Sequence, residues 1–486
     1  MGLQQGLVKW FVGVLFLGTL LLCNADVHHY DFFVQESNFT KMCNTTTLLV
    51  VNDSYPGPDI RFRRGDTVFV NVHNQGNDGF TIHWHGVKQP RNPRFNGTNF
   101  TYEVVLSEEI GTLWWHAHSD WTRGSDETYP FPTPDAEQTI ILESWYNGYY
   151  KQIIDQALAT GDPPRLPDAY AINGHLRDTY GCPSDTIFRM EVDYEKTYLL
   201  RIINAAMNEQ QFFTITNHTV IVVAQDASYV RRFKSDYILI SPGLTMDVLV
   251  SANRNVGLYY MATRPFSDSA ALPLPAIDDT DAMLNFVSRI RNTNVTQNMP
   301  KNVPVDTDIN RRVYIAVAVN RLPCNTSKCV VSERIVSSLN NVSFVSPRID
   351  ILQAYYRNIS CVFTQDFPLN PSEFYDFTGQ LTGFNSGTEY RTRAIVVNYG
   401  EAVKIVLQST HMGAAGLGNF NNETDPSTYN LIDPPLINTV HVPCRGWVAL
   451  RFFANNPGTL IVRNGSTIET SIRRPRPSTI PRCHGT

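Results

Sequence analysis

The chain has 486 residues, 42% of them hydrophobic and 17% charged, with a formal net charge of −5. That length provides for about three domains of ordinary size, and the composition is that of a folded protein rather than a disordered one. No basic run is longer than a short cluster such as Arg473, Arg474 and Arg476, and the net charge is negative, which excludes nucleic acid as an expected partner.

Residues 1–25 read as a secretory signal. Lys9 gives a weakly basic start, Trp10 to Cys23 is apolar, and Ala25 supplies a small residue at the cleavage position. The apolar run is too short for a membrane anchor, and no other stretch approaches a spanning length. Asn-x-Ser/Thr sequons fall at Asn38, Asn44, Asn52, Asn96, Asn99, Asn217, Asn294, Asn325, Asn341, Asn358, Asn422 and Asn464. Their number suggests a secreted glycoprotein. Once Cys23 leaves with the signal, Cys43, Cys182, Cys324, Cys329, Cys361, Cys444 and Cys483 remain. That odd set leaves at least one thiol without an intrachain partner in an oxidising compartment.

Short alternating stretches begin at "DTVFVNVHNQG", where Val68, Val70 and Val72 face away from Phe69, Asn71 and His73. "FTIHWHGV" sets Phe80, Ile82 and Trp84 on one side and Thr81, His83 and His85 on the other. "GTLWWHAHSDW" carries a second His-x-His pair, His116 and His118. Residues i and i+2 of a strand share a face, so each pair aims at one point, and two such strands side by side present four imidazoles to a metal. "WYNGYYKQIIDQALATG" is the one helical stretch read from the pattern. "KTYLLRIINAA", "HTVIVVAQDASYV", "SDYILISPGLTMDVLVSA" and "VGLYYMATRPF" continue the alternation. The pattern is all-β, of the sandwich or barrel kind. Soft boundaries at a Pro-rich segment (128–138) and a polar one (291–308) divide the chain into 1–25, 26–135, 136–300 and 301–486.

"TIHWHGVKQPRNP" and "GTLWWHAHSDWTRGS" resemble the first two copper motifs of the multicopper oxidases, plant laccases most closely. "YPGPDIRFRRGDTV", "PDAEQTIILESWYNG", "PGLTMDVLV" and "NLIDPPLINTVHVP" extend the likeness over nearly the whole chain. The resemblance implies three cupredoxin-like Greek-key β-barrel domains. It implies a type 1 copper in the third domain that takes electrons from a phenol. It also implies a trinuclear cluster between the first and third domains that reduces O2 to water. Carried over by motif position, His83 resembles the type 2 ligand and His85, His116 and His118 resemble type 3 ligands. Imidazole suits copper in both oxidation states, and Trp84, Trp114 and Trp115 are expected to pack behind the ligands. The resemblance also pairs Cys43 with Cys182. Cys324 and Cys329 are spaced for a local bridge, while Cys361 and Cys444 have no assignment.

Two family motifs are missing. "VKIVLQST" should precede a His-Pro-x-His-x-His-Gly segment, but "HMGAAGLGNFNNETDP" follows it. "NNPG" should precede His-Cys-His and a further His, but "TLIVRNGSTIETS" follows it. After His118 only His175, His218, His411, His441 and His484 remain, and no Cys lies between two histidines. The type 1 ligand set therefore has no counterpart, and the cluster keeps four of eight imidazoles. The first domain also lacks a segment with the family's acidic residue, whose place falls nearest Asn96, a Cys after it that would pair with Cys483, and a strand after the second motif. Each gap has matching sequence on both sides and a whole block absent between. Mis-joined exons or an unusual splice product leave that pattern, whereas gradual decay substitutes ligands one at a time.

By family, then, the expectation is a monomeric laccase secreted into the apoplast. It would act with O2 on p-diphenols, lignin precursors or lignin-derived products, and about four coppers per chain belong to the family. This chain as it stands is expected to hold one or two coppers at most and to be inactive. The alternative is a non-catalytic cell-wall glycoprotein with the same fold.

Overall fold

The computed structural model describes residues 26–468 apart from 64, 77–81, 88–98, 106–110, 118–124, 127–128, 161–164, 177–180, 183–185, 268–278, 294–307, 324–332, 346, 348, 350, 373–387, 411–417, 444–445, 456–461 and 464–466. His118 and the sequons Asn96, Asn294, Asn325 and Asn464 lie outside the described residues, as do Cys324, Cys329, Cys444 and Cys483. None of the described helices is long and apolar enough to cross a membrane.

Strands dominate, in three successive groups. The N-terminal group is a four-stranded sheet ordered Asn44–Val51, Val27–Lys41, Thr67–Asn74 and Asn99–Val105. Val27–Lys41 runs parallel to Thr67–Asn74, and the other two pairings are antiparallel. Along Thr67–Asn74, Val68, Val70 and Val72 are buried in strict alternation. They face a separate antiparallel pair, Ile82–His85 with Trp114–Ala117. Ile82, Trp84 and Trp115 close the core from that side, against Phe32, Val34, Val70 and Val104. A hydrogen bond of 3.0 Å from the Ile82 N–H to the Tyr102 hydroxyl ties the two sheets together.

The central group is a six-stranded sheet ordered Ala169–Ile172, Ala136–Trp145, Thr197–Asn204, Thr245–Ser251, Val220–Gln225 and Ser228–Ser235. It packs on a three-stranded sheet of Ile238–Ile240, Gln211–Ile215 and Met261–Pro265 through a core that includes Ile140, Leu200, Phe213, Val222 and Val248. The C-terminal group is a six-stranded sheet ordered Glu389–Arg391, Val342–Phe344, Glu333–Leu339, Arg311–Pro323, Ala402–Ser409 and Trp447–Phe453. Its core rests on Val313, Ile315, Val403 and Leu407.

A helix forms at Tyr150–Thr160, within the stretch read as helical. Two further helices, Thr280–Ser288 and Ile351–Tyr356, were not read from the pattern. Met283 and Phe286, three apart, fill the buried side of the first. The second is only six residues long, too short for a helical period to stand out. Cys43 and Cys182 form a disulfide across 139 residues of sequence, and Cys361 is disulfide-bonded too.

A buried polar network clamps the second histidine strand to the central sheet. Arg201 reaches Glu137 at 2.8 Å, the Thr112 hydroxyl at 3.0 Å, Asp247 at 3.3 Å and the Tyr129 hydroxyl at 3.1 Å. The Thr112 hydroxyl also donates to Asp247 at 2.5 Å. Thr245 donates its hydroxyl to the Thr112 carbonyl at 2.6 Å, and Trp114 Nε1 donates to the Gly243 carbonyl at 2.6 Å. The chain thus enters Trp114–Ala117 with both backbone and side chains held. Arg201→Met should lower unfolding free energy by roughly 3–5 kcal/mol, because the buried Asp247 loses the cation that compensates it. Denaturant unfolding of the two proteins measures the difference, and a loss below about 1 kcal/mol would show the network to be peripheral.

Candidate metal centre

Register decides where the imidazoles point. In the antiparallel pair His83 lies opposite His116, Trp84 opposite Trp115, and His85 opposite Trp114. Residues directly opposite share a face. Trp84 and Trp115 therefore turn into the core, where they are 5% and 1% exposed. His83, His85 and His116 turn the other way. Trp114 goes with them, which corrects the expectation that all three tryptophans pack behind the ligands. The reason is the two-residue period of a strand, which places Trp114 on the face of His116 and not on that of Trp115. Its ring stacks on His116 with centroids 4.2 Å apart, and it lies 5.4 Å from His85.

One ligand atom from each of His83, His85 and His116 lies within 4.8 Å of the other two, the one such His/Cys/Asp/Glu group among the described residues. Ring centroids are 5.2 Å apart for His83 and His85, 5.0 Å for His83 and His116, and 5.8 Å for His85 and His116. His83 and His85 are buried and His116 is half-buried. Three converging imidazoles, with the Trp114 ring beside two of them, are a donor set that fits one copper ion. The same set does not fit a three-copper cluster. Among the described residues no other three of His, Cys, Asp or Glu converge as a type 1 site would need. His175 bonds Thr186 at 2.6 Å, His218 donates to the Thr216 carbonyl at 2.9 Å, and burial pushes the imidazole of His441 down to about 4. His411 and His484 lie outside the described residues.

The far wall of the pocket comes from the C-terminal part of the chain. Thr439 Oγ1 lies 2.8 Å from His85 Nε2. Gly86 makes this approach feasible. Its φ of 78° is left-handed, and a Cβ there would come within 2.2 Å of Asn438 Nδ2. Asp226, at the end of Val220–Gln225, anchors the approaching segment. Its Oδ2 accepts the backbone N–H groups of Asn438 at 3.0 Å and Thr439 at 2.8 Å, and its Oδ1 accepts that of Thr245 at 3.1 Å. Burial pushes the Asp226 carboxyl up to about 7, and the three amides pull the other way.

The sequence reading brought His83, His85 and His116 together but singled out none of Asp226, Asn438, Thr439 or Thr112. The signal for Asp226 was an acid closing the apolar run "VIVVAQD"; Thr439 lies in a segment noted only for its likeness.

Three multicopper oxidase family models match the chain, at residues 33–129, 136–276 and 366–463. Laccase-14 of Arabidopsis thaliana is 36% identical over 561 aligned positions, covering 97% of this chain and 97% of the relative. Laccase-21 of Oryza sativa subsp. japonica is 36% identical over 556, covering 94% of each. Both alignments are longer than this chain, so the relatives carry internal segments that it lacks. Among solved structures, the laccase from Botrytis aclada superposes with a TM-score of 0.62 at 19% identity, covering 90% of this chain and 85% of that one. Fet3p, described as a multicopper oxidase that functions in iron import, gives 0.64 at 17%, covering 89% and 86%. These two likenesses concern the fold.

Asp226 carries a pH signature. Because its folded pKa is raised, the unfolded chain releases this proton between about pH 4 and about pH 7 while the folded chain keeps it. Its contribution to stability therefore falls across that window and is level above it. Asp226→Asn should remove that slope and, by turning an amide N–H toward backbone donors, cost about 1–3 kcal/mol. Urea midpoints measured from pH 4 to pH 8 check both; an unchanged slope would contradict the assignment.

Proposed function

The chain belongs to the multicopper oxidases, laccase type, and from that premise we propose that it is a secreted half-site relative that binds copper without completing the oxidase cycle. The observation that carries this reading is the convergence of His83, His85 and His116, set beside a sequence that has no Cys between two histidines. His118, two residues beyond His116, is proposed as a fourth ligand. The family's complete ligand set would oxidise phenols, such as lignin precursors, and pass the electrons to O2. Copper bound here would supply a Lewis-acidic, redox-capable ion. The chain's own groups hold it: the imidazoles donate, Trp114 covers one side, and Thr439 and Asp226 fix the far wall.

Three cupredoxin-like domains at 26–135, 136–300 and 301–486 are proposed, each containing one family-model match. The alignments that exceed the chain's length support loss of whole internal blocks. Asn38, Asn44, Asn52, Asn99, Asn217, Asn358 and Asn422 are exposed and Asn341 is half-buried, which is compatible with glycans at these positions. An extracellular location, the apoplast, and a monomeric state complete the reading. A second reading, a wall glycoprotein with no metal role, draws on the same missing ligands; the convergent imidazoles weigh against it.

Expression of the full chain in a secretory host distinguishes the two. Metal analysis should find about one copper per chain and at most two, with no intense blue thiolate band and no phenol-dependent O2 uptake. A blue protein with about four coppers would overturn the half-site reading, and a copper-free one would favour the glycoprotein.

A further inference from the structure

The hydroxyl of Thr439 has two polar neighbours. It donates to Asn438 Oδ1 at 3.0 Å, and its oxygen lies 2.8 Å from His85 Nε2. A hydroxyl has one proton to give, and an amide oxygen can only accept. The proton therefore goes to Asn438, and toward His85 the Thr439 oxygen is an acceptor. His85 Nε2 must then carry the hydrogen. A neutral imidazole has one N–H, so its lone pair sits on Nδ1. Metals bind the lone-pair nitrogen, and the hydrogen bond at the other nitrogen decides which one that is.

We infer that Asn438 and Thr439 set the tautomer of His85, so that it presents Nδ1 to a copper ion shared with His83 and His116. Thr439 is a positioning residue in this scheme, not a ligand. The inference rests on the reading of these three histidines as copper ligands. The relay does not depend on a metal being bound. Asp226 holds both residues by their backbone N–H groups, at 3.0 and 2.8 Å, so the hydroxyl is placed by contacts between parts of the protein. Gly86 leaves room for Asn438 to reach that place. A region of the chain more than 350 residues from His85 in sequence, well outside the two histidine motifs, thereby selects which atom of the motif meets the metal.

Histidine-selective isotope labelling and heteronuclear NMR of the full chain, stripped of metal, read the tautomer directly. The unsubstituted protein should show His85 with its hydrogen on Nε2. Thr439→Val removes the acceptor while keeping the shape. It should mix the two tautomers and weaken Cu2+ binding by about 10- to 100-fold in a calorimetric titration. Thr439→Ser keeps the hydroxyl and should restore both. A His85 ring protonated on Nδ1 in the unsubstituted chain would overturn the inference, whatever the folding of the variants. So would a Thr439→Val chain that binds Cu2+ as tightly as the unsubstituted one. A chain with the Nε2 tautomer that takes up no Cu2+ would instead defeat the copper reading, and the role given to Thr439 with it.

Discussion

The candidate metal centre depends on one register. His83 sits opposite His116 in a pair of four-residue strands, and that pairing sends Trp84 and Trp115 inward and the imidazoles outward. A slip of one residue would reverse every side chain, burying histidines among valines and exposing indoles. The core guards against this. Trp115 lies against Phe32 with centroids 4.6 Å apart and against Trp84 at 6.2 Å. Removing such a ring costs about 3–5 kcal/mol, more than a short two-stranded pairing would supply alone. The apolar face thus fixes the geometry of the polar one.

The strand pair does not stand by itself. Thr112 and Trp114, just before and at the start of its second strand, are held by Arg201, Asp247 and Thr245 of the central sheet and by Gly243 in the turn that leads into it. Thr439 meets the end of its first strand from the C-terminal side, and Asp226 of the central group holds Thr439. All three strand groups therefore contribute to one site, with a buried carboxyl group that accepts three amides at the point where they meet. None of these contacts draws on the two copper motifs that are absent from the sequence.

Much of this was legible in the sequence, for local reasons. The alternation of Val68, Val70 and Val72 and of Ile82 with His83 is a two-residue period, and a strand obeys it wherever one face is buried. The family was legible because His-Trp-His-Gly and Trp-Trp-His-Ala-His are dense motifs. The second wall of the site was not legible. Asp226 and Thr439 are separated by 213 residues, and nothing in either segment announces that a carboxylate and two amides will meet. Trp114 was misplaced for a different reason: it was grouped with its neighbour Trp115 by residue type, whereas the strand sorts them by parity.

The central claim is that one copper ion is held by imidazoles of the first strand pair and by nothing softer. X-ray absorption at the copper edge, on the full chain loaded with one equivalent, tests it most directly. The expected spectrum shows a shell of three or four nitrogen ligands with the multiple-scattering pattern of imidazole, no sulfur ligand and no copper neighbour. A short copper–sulfur vector, or a second copper in the outer shell, would contradict it.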